Sequence, residues 1–149
     1  SKALGNGYPI SACTGTKRLK VAASKCFLTG SFWNAAVPMA AALKTLEIVE
    51  RENVAQQLEH HGTQLIEGML SLGQRYDIPL QASGPPAMPY VRVANDHSFR
   101  QQQALCTAAA EQGLYLHPHH NWFLSAAHTK EIIDETLQRF EQSLKSLKT

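Results

Sequence analysis

The sharpest chemical feature of this 149-residue chain is Lys2, followed at once by Ala3, Leu4 and the small-residue turn Gly5-Asn6-Gly7. A primary amine condenses with an aldehyde, and the imine then exchanges with a second amine. The released amine can move a proton at a neighbouring carbon as general base and acid. Glycines beside such a group let the backbone turn tightly and approach a bound molecule closely. A second cluster of reactive types is His117-Pro118-His119-His120, with His128 nearby. Several imidazoles on one loop suggest zinc or nickel. No cysteine or carboxylate lies close enough in sequence to complete a tetrahedral set, so a surface loop is the better reading. Cys13, Cys26 and Cys106 are widely spaced, with no CxxC pair and no zinc spacing. Reduced thiols in the cytoplasm are the expectation.

Composition narrows the classes. Hydrophobic residues make up 44% and charged residues 17%, the balance of an ordinary globular domain. The net charge of +2 selects no polyanionic partner, and nucleic acid is not expected. The basic cluster Lys17, Arg18, Lys20 and Lys25 reads as a solvated helix face. No apolar run approaches the roughly 20 residues of a membrane helix, and no membrane partner is expected.

The elements that must carry these residues follow from periodicity and punctuation. Residues 8–14 read as a short buried strand closed by Gly15, and 16–25 as a short basic helix. Residues 26–34 form an aromatic loop, after which Asn34 is placed to cap a helix with Pro38 in its first turn. Asn53 and Gln56 suggest the capping box of a second helix, whose stripe is Leu58, Leu65, Met69 and Leu72, with His61 on the packing side. After Tyr76 the composition shifts. Residues 78–82 and 90–93 read as strands around a turn at Ser83-Gly84-Pro85-Pro86. A helix capped by Asn95 or Asp96 is predicted over about 97–112, stopped by Gly113, then a strand over 114–117. A final helix is capped by Thr129 and carries Ile133, Leu137, Phe140, Leu144 and Leu147 on one stripe. From about residue 77 this order suggests a small α+β domain with a mostly antiparallel sheet covered by helices.

The stretch Lys2-Ala3-Leu4-Gly5-Asn6-Gly7-Tyr8-Pro9-Ile10-Ser11-Ala12 resembles the cofactor-lysine segment of class III aminotransferases, fold-type-I enzymes that use pyridoxal 5'-phosphate. Asn6 departs from a position usually held by glycine. Thr29-Gly30-Ser31-Phe32-Trp33-Asn34, with Pro38-Met39-Ala40-Ala41-Ala42-Leu43-Lys44-Thr45-Leu46, is similar to the family's second conserved block. Gly113-Leu114-Tyr115-Leu116, then Phe123-Leu124-Ser125-Ala126-Ala127-His128-Thr129, looks like the end of the glutamate-1-semialdehyde aminomutase branch.

The resemblance implies an α/β fold class: the C-terminal part of a pyridoxal-phosphate-dependent transferase of fold type I. Residues 1–76 would end the large cofactor-binding domain, and 77–149 would form the small α+β domain. It implies that Lys2 is catalytic and forms the Schiff base with the cofactor. It implies that Ser31, with Gly30 beside it, binds the cofactor phosphate of the neighbouring subunit, so that the protein is a homodimer with a shared active site. Serine keeps the donor of the family's threonine and loses its methyl. The partners implied are a small amine or amino acid and a keto or aldehyde substrate.

Many family members grip a substrate α-carboxylate with an arginine at a turn like Ser83-Gly84-Pro85. None stands there, and Arg92 lies on the following strand. The aminomutase-like branch and amine or sugar transaminases suit that loss. The chain reads as part of a longer protein, because the family's glycine-rich phosphate cup, its ring-stacking aromatic and the aspartate of the ring nitrogen precede the lysine. Alone, these residues are expected to be nearly inactive. The rival reading is a non-catalytic interaction scaffold on the same fold.

Overall fold

A computed structural model describes residues 2–27 and 29–147. Ser1, Leu28, Lys148 and Thr149 lie outside the described residues, Leu28 within the loop expected over 26–34. The chain forms two compact units, Ser1–Asn53 and Val54–Thr149. This division falls before the long helix at 54–75, whereas the change of composition after Tyr76 marks where helix gives way to strand.

The first unit begins with a 3-10 turn at Lys2–Leu4. A second 3-10 turn at Lys17–Leu19 runs into the short helix α1 (Lys20–Ala23), and helix α2 spans Ala36–Arg51. The opening turn packs against α2. The strand expected over 8–14 does not form: these residues are irregular and almost all exposed. A strand exists only when its N–H and C=O groups find a second strand, and none of the described residues of this unit offers one. Asn34 does not cap α2 either. The cap position is Ala35, in extended backbone at φ −70° and ψ 112°, with no side-chain cap. Pro38 sits in the first turn as expected, where a missing N–H matters least.

The second unit is built from helix α3 (Val54–Arg75), strands β1 (Leu80–Ser83) and β2 (Tyr90–Val93), and helices α4 (Arg100–Glu111) and α5 (Lys130–Ser146). The strands pair antiparallel, with Leu80 opposite Val93 and Ser83 opposite Tyr90. The α3 stripe meets the α5 stripe over β2. Leu65, Met69, Leu72, Val91, Val93, Leu105, Ile133, Phe140 and Leu144 form one core cluster. Burying a side chain of the Phe140 or Met69 type stabilises by about 1.5–3 kcal/mol. His61 is half-buried on α3, as its place on the stripe suggests.

Ends of elements explain the remaining departures. Helix α3 stops with Asp77 left-handed at φ 51°, and Ile78 N–H donates to the Gly73 carbonyl at 2.9 Å. Helix α4 stops the same way, with Gly113 at φ 80° and Leu114 N–H on the Ala109 carbonyl at 2.8 Å. Helix α4 starts about one turn later than the His97 expected: Asn95 and Phe99 are left-handed, and the helix begins at Arg100. Asp96 still satisfies the helix head, accepting from Gln102 N–H at 2.8 Å and from the Ser98 hydroxyl at 3.0 Å. The strand expected over 114–117 is absent. Its side chains alternate half-buried and exposed, but no ladder forms along it among the described residues. The free edge of β2 is instead occupied by one side chain. Buried Gln102 accepts from Val93 N–H at 2.8 Å and donates to the Val91 carbonyl at 3.2 Å.

Candidate functional site

Lys2 heads the first turn of the first unit, and its side chain is exposed. Lys2 itself is left-handed at φ 57°, a region that few non-glycine residues occupy. The turn is held by Asn6 N–H on the Lys2 carbonyl at 3.0 Å and by Tyr8 N–H on the Gly5 carbonyl at 3.1 Å. Gly5 is buried, and a Cβ there would strike the Tyr8 carbonyl oxygen and Ile10 Cγ2. Asn6 is left-handed at φ 43°. Asparagine enters that region more readily than other side chains, which explains how it stands where the family pattern has glycine.

Ser31 and Gly30 lie at the turn before α2. Trp33 N–H donates to the Gly30 carbonyl and Ala35 N–H to the Phe32 carbonyl, both at 3.1 Å. Both residues line an open concavity of about 660 Å³, together with Ser11, Thr29, Trp33 and Asn34. Three hydroxyls and a carboxamide face it, and no carboxylate is among its lining residues. A Cβ on Gly30 would meet nothing within 4 Å, so this side of the turn is open. The head of the 16-residue α2 reaches the same rim through Ala35 and Pro38. Pro38 has no N–H and the Ala35 N–H is taken by Phe32, so what the helix head brings to this rim is partial positive charge, which favours an anion. This lining therefore suits an anion. Lys2 is not among the residues lining the concavity. Of the lining groups, Ser11, Thr29 and Asn34 were not singled out from sequence as ligands. Each is a common loop residue whose position becomes informative only once the turn is built.

The histidine loop of the second unit is tied up internally. His117 Nδ1 accepts from His119 N–H at 3.1 Å, and His128 Nδ1 accepts from Ser125 N–H at 2.9 Å. The Tyr90 hydroxyl donates to the Pro118 carbonyl at 2.6 Å, and Trp122 Nε1–H donates to the His117 carbonyl at 3.1 Å. Among the described residues, no three histidine, cysteine, aspartate or glutamate side chains are placed to hold a metal ion. Arg92 is likewise engaged locally. Its guanidinium lies 4.9 Å from the Phe99 ring centroid and donates to the Asp96 carbonyl at 3.1 Å. Burial pushes the Asp96 carboxyl up, but N–H groups of Gln102 and Gln101, the Ser98 hydroxyl and the Arg92 charge outweigh it and hold it below the usual value. Burial raises the Cys106 thiol to about 11, against a smaller opposing effect of the Gln102 hydrogen bond.

The family model for class-III aminotransferases matches residues 1–147. The chain belongs to the class-III aminotransferase family. This class-III aminotransferase sequence is 41% identical over 146 residues to aminopentol aminotransferase of Sphingopyxis macrogoltabida, covering 98% of this chain and 35% of that protein. It superposes on the solved Sphingopyxis sp. MTA144 FumI protein, in its PLP internal aldimine form, with a TM-score of 0.89. That match is 41% identical and covers 97% of this chain and 35% of FumI. A third relative, glutamate-1-semialdehyde 2,1-aminomutase of Desulfitobacterium hafniense strain Y51, is 32% identical over 162 residues, covering 98% of this chain and 37% of that enzyme. The class-III chain thus spans little more than a third of the length of these curated relatives, and its mixed helix and sheet correspond to the C-terminal part of their fold.

Proposed function

We propose that these residues are the lysine-bearing portion of a pyridoxal-phosphate-dependent aminotransferase or aminomutase. The observation that carries this reading is the turn at the head of the first unit. Lys2 sits there on a glycine-pinned bend, in a chain that matches the class-III family along 1–147. When bound, pyridoxal 5'-phosphate supplies an aldehyde for amines and a ring that takes up electron density from the substrate carbon.

The Lys2 amine holds the cofactor aldehyde. With the cofactor bound, the Lys2 amine would also move the proton at the substrate Cα. Its exposure and left-handed backbone at a buried glycine suit a side chain held out toward a ligand. Ser31 and Gly30 hold the phosphate, and they do so for the neighbouring subunit of a homodimer. The carboxylate-free, hydroxyl-lined concavity supports the first part. Exposed Phe32, Trp33 and Leu43 on the same unit support the second, as apolar surface that association would cover. The partner of the ring nitrogen is supplied by residues outside these 149.

The amino donor is an amine that lacks an arginine-held α-carboxylate. No arginine stands at the Ser83-Gly84-Pro85 turn, and Arg92 is occupied by Phe99 and the Asp96 carbonyl. The similarity to an aminopentol aminotransferase points the same way, toward a primary amine on a hydroxylated carbon skeleton.

The test is amino transfer by the full-length protein, with hydroxylated primary amines and α-amino acids as donors and a keto acid as acceptor. Lys2→Ala is expected to remove turnover while the protein still folds. Turnover by Lys2→Ala equal to wild type would overturn the assignment of Lys2, and a wild-type protein with no turnover would leave a scaffold role.

A further inference from the structure

Asn34, the expected cap of α2, stands one residue before the observed cap position, and the fold does not use it as a cap. The cap position is Ala35, whose methyl accepts no hydrogen bond, so the residue at the cap makes no side-chain cap bond. The turn is closed by backbone bonds, Trp33 N–H on the Gly30 carbonyl and Ala35 N–H on the Phe32 carbonyl. Asn34 is exposed and lines the same concavity as Ser31.

A phosphate monoester presents three terminal oxygens, and several donors share its charge better than one. The Ser31 hydroxyl donates a single hydrogen bond. The Asn34 carboxamide adds two N–H donors without adding charge. No carboxylate lines the concavity to oppose an anion.

We propose that Asn34 Nδ2 is a second side-chain donor to the phosphate of pyridoxal 5'-phosphate, acting beside Ser31. This rests on the reading that Ser31 holds that phosphate. The role is one of affinity for the phosphorylated cofactor, and no proton transfer passes through Asn34.

The experiment uses the full-length protein freed of cofactor, as wild type, Asn34→Ala, Asn34→Asp and Ser31→Ala. Each is titrated with pyridoxal 5'-phosphate and separately with pyridoxal, which lacks the phosphate. Binding is read from cofactor absorbance, and folding from circular dichroism. Asn34→Ala is expected to raise the apparent Kd for the phosphorylated cofactor about 5–10-fold and to leave the Kd for pyridoxal within about twofold. Asn34→Asp keeps the shape but faces the phosphate with a negative charge, and is expected to raise the first Kd further. If Ser31→Ala weakens the phosphorylated cofactor selectively while Asn34→Ala and Asn34→Asp do not, the Asn34 proposal fails alone. If Ser31→Ala also lacks selectivity, the phosphate reading of this turn fails and takes the proposal with it. Should Asn34→Ala lose its folded signal, the Asn34→Asp ratio of the two Kd values decides.

Discussion

Replacing Gly5 by alanine tests how the Lys2 turn is held. The added Cβ would collide with the Tyr8 carbonyl oxygen and Ile10 Cγ2, and Gly5 is buried, so no flexible surface side chain can give way. Overpacking at such a site costs about 1–3 kcal/mol. Relieving the clash would also break the bond from Tyr8 N–H to the Gly5 carbonyl, now 3.1 Å, worth about 1 kcal/mol more. A total near 2 kcal/mol, the low end, lowers the ratio of native to opened turn about 30-fold. With the two forms near balance in the cofactor-free protein, apparent cofactor affinity falls by up to that factor. The assay is a titration of full-length Gly5→Ala with pyridoxal 5'-phosphate, read by absorbance. Asn6→Gly is the matched control: it removes a left-handed side chain and is expected to bind as wild type. A Gly5→Ala Kd within threefold of wild type would refute the reasoning.

Other outcomes follow from the second unit. Gln102→Leu strands the Val93 N–H and the Val91 carbonyl and should destabilise that unit by about 2–4 kcal/mol in denaturant unfolding. Gln102→Glu, which keeps only the acceptor, should also destabilise it. Asp96 titrates below its usual value in the folded state, so its stabilising effect is complete above the ordinary carboxylate range and is lost as pH falls through the lowered value. Asp96→Asn should flatten the acid limb of stability below about pH 4. The buried Cys106 thiol, raised to about 11, should resist a thiol reagent at pH 8 until denaturant is added. The 149-residue polypeptide alone should show little or no turnover with added cofactor, because the ring-nitrogen partner is assigned to residues outside it.

Local physics explains what could be read from the residues. The α3 and α5 stripes were legible because 3.6-residue periodicity is written into each helix. Gly113 was legible because a left-handed helix stop is a property of one residue. Residues 8–14 and 114–117 have strand-like patterns too, but a strand depends on a partner that its own residues do not specify. The role of Gln102 was invisible for a related reason: a glutamine in a helix announces nothing until β2 lies beside it. At the site, the lysine–glycine motif pointed to the turn, and Ser31 and Gly30 line a concavity that Lys2 does not line. Ser11, Thr29 and Asn34 gave no such signal. Their participation depends on how the irregular chain at 9–11 passes the turn at 29–34.

The most direct measurement is reductive trapping. The full-length protein is loaded with pyridoxal 5'-phosphate, reduced with borohydride and digested, and the modified lysine is mapped by mass spectrometry. The account predicts label concentrated on Lys2 and sparse on the seven other lysines of this stretch. Label scattered over surface lysines with Lys2 unmodified would contradict it, and would leave a transaminase fold that has lost its chemistry.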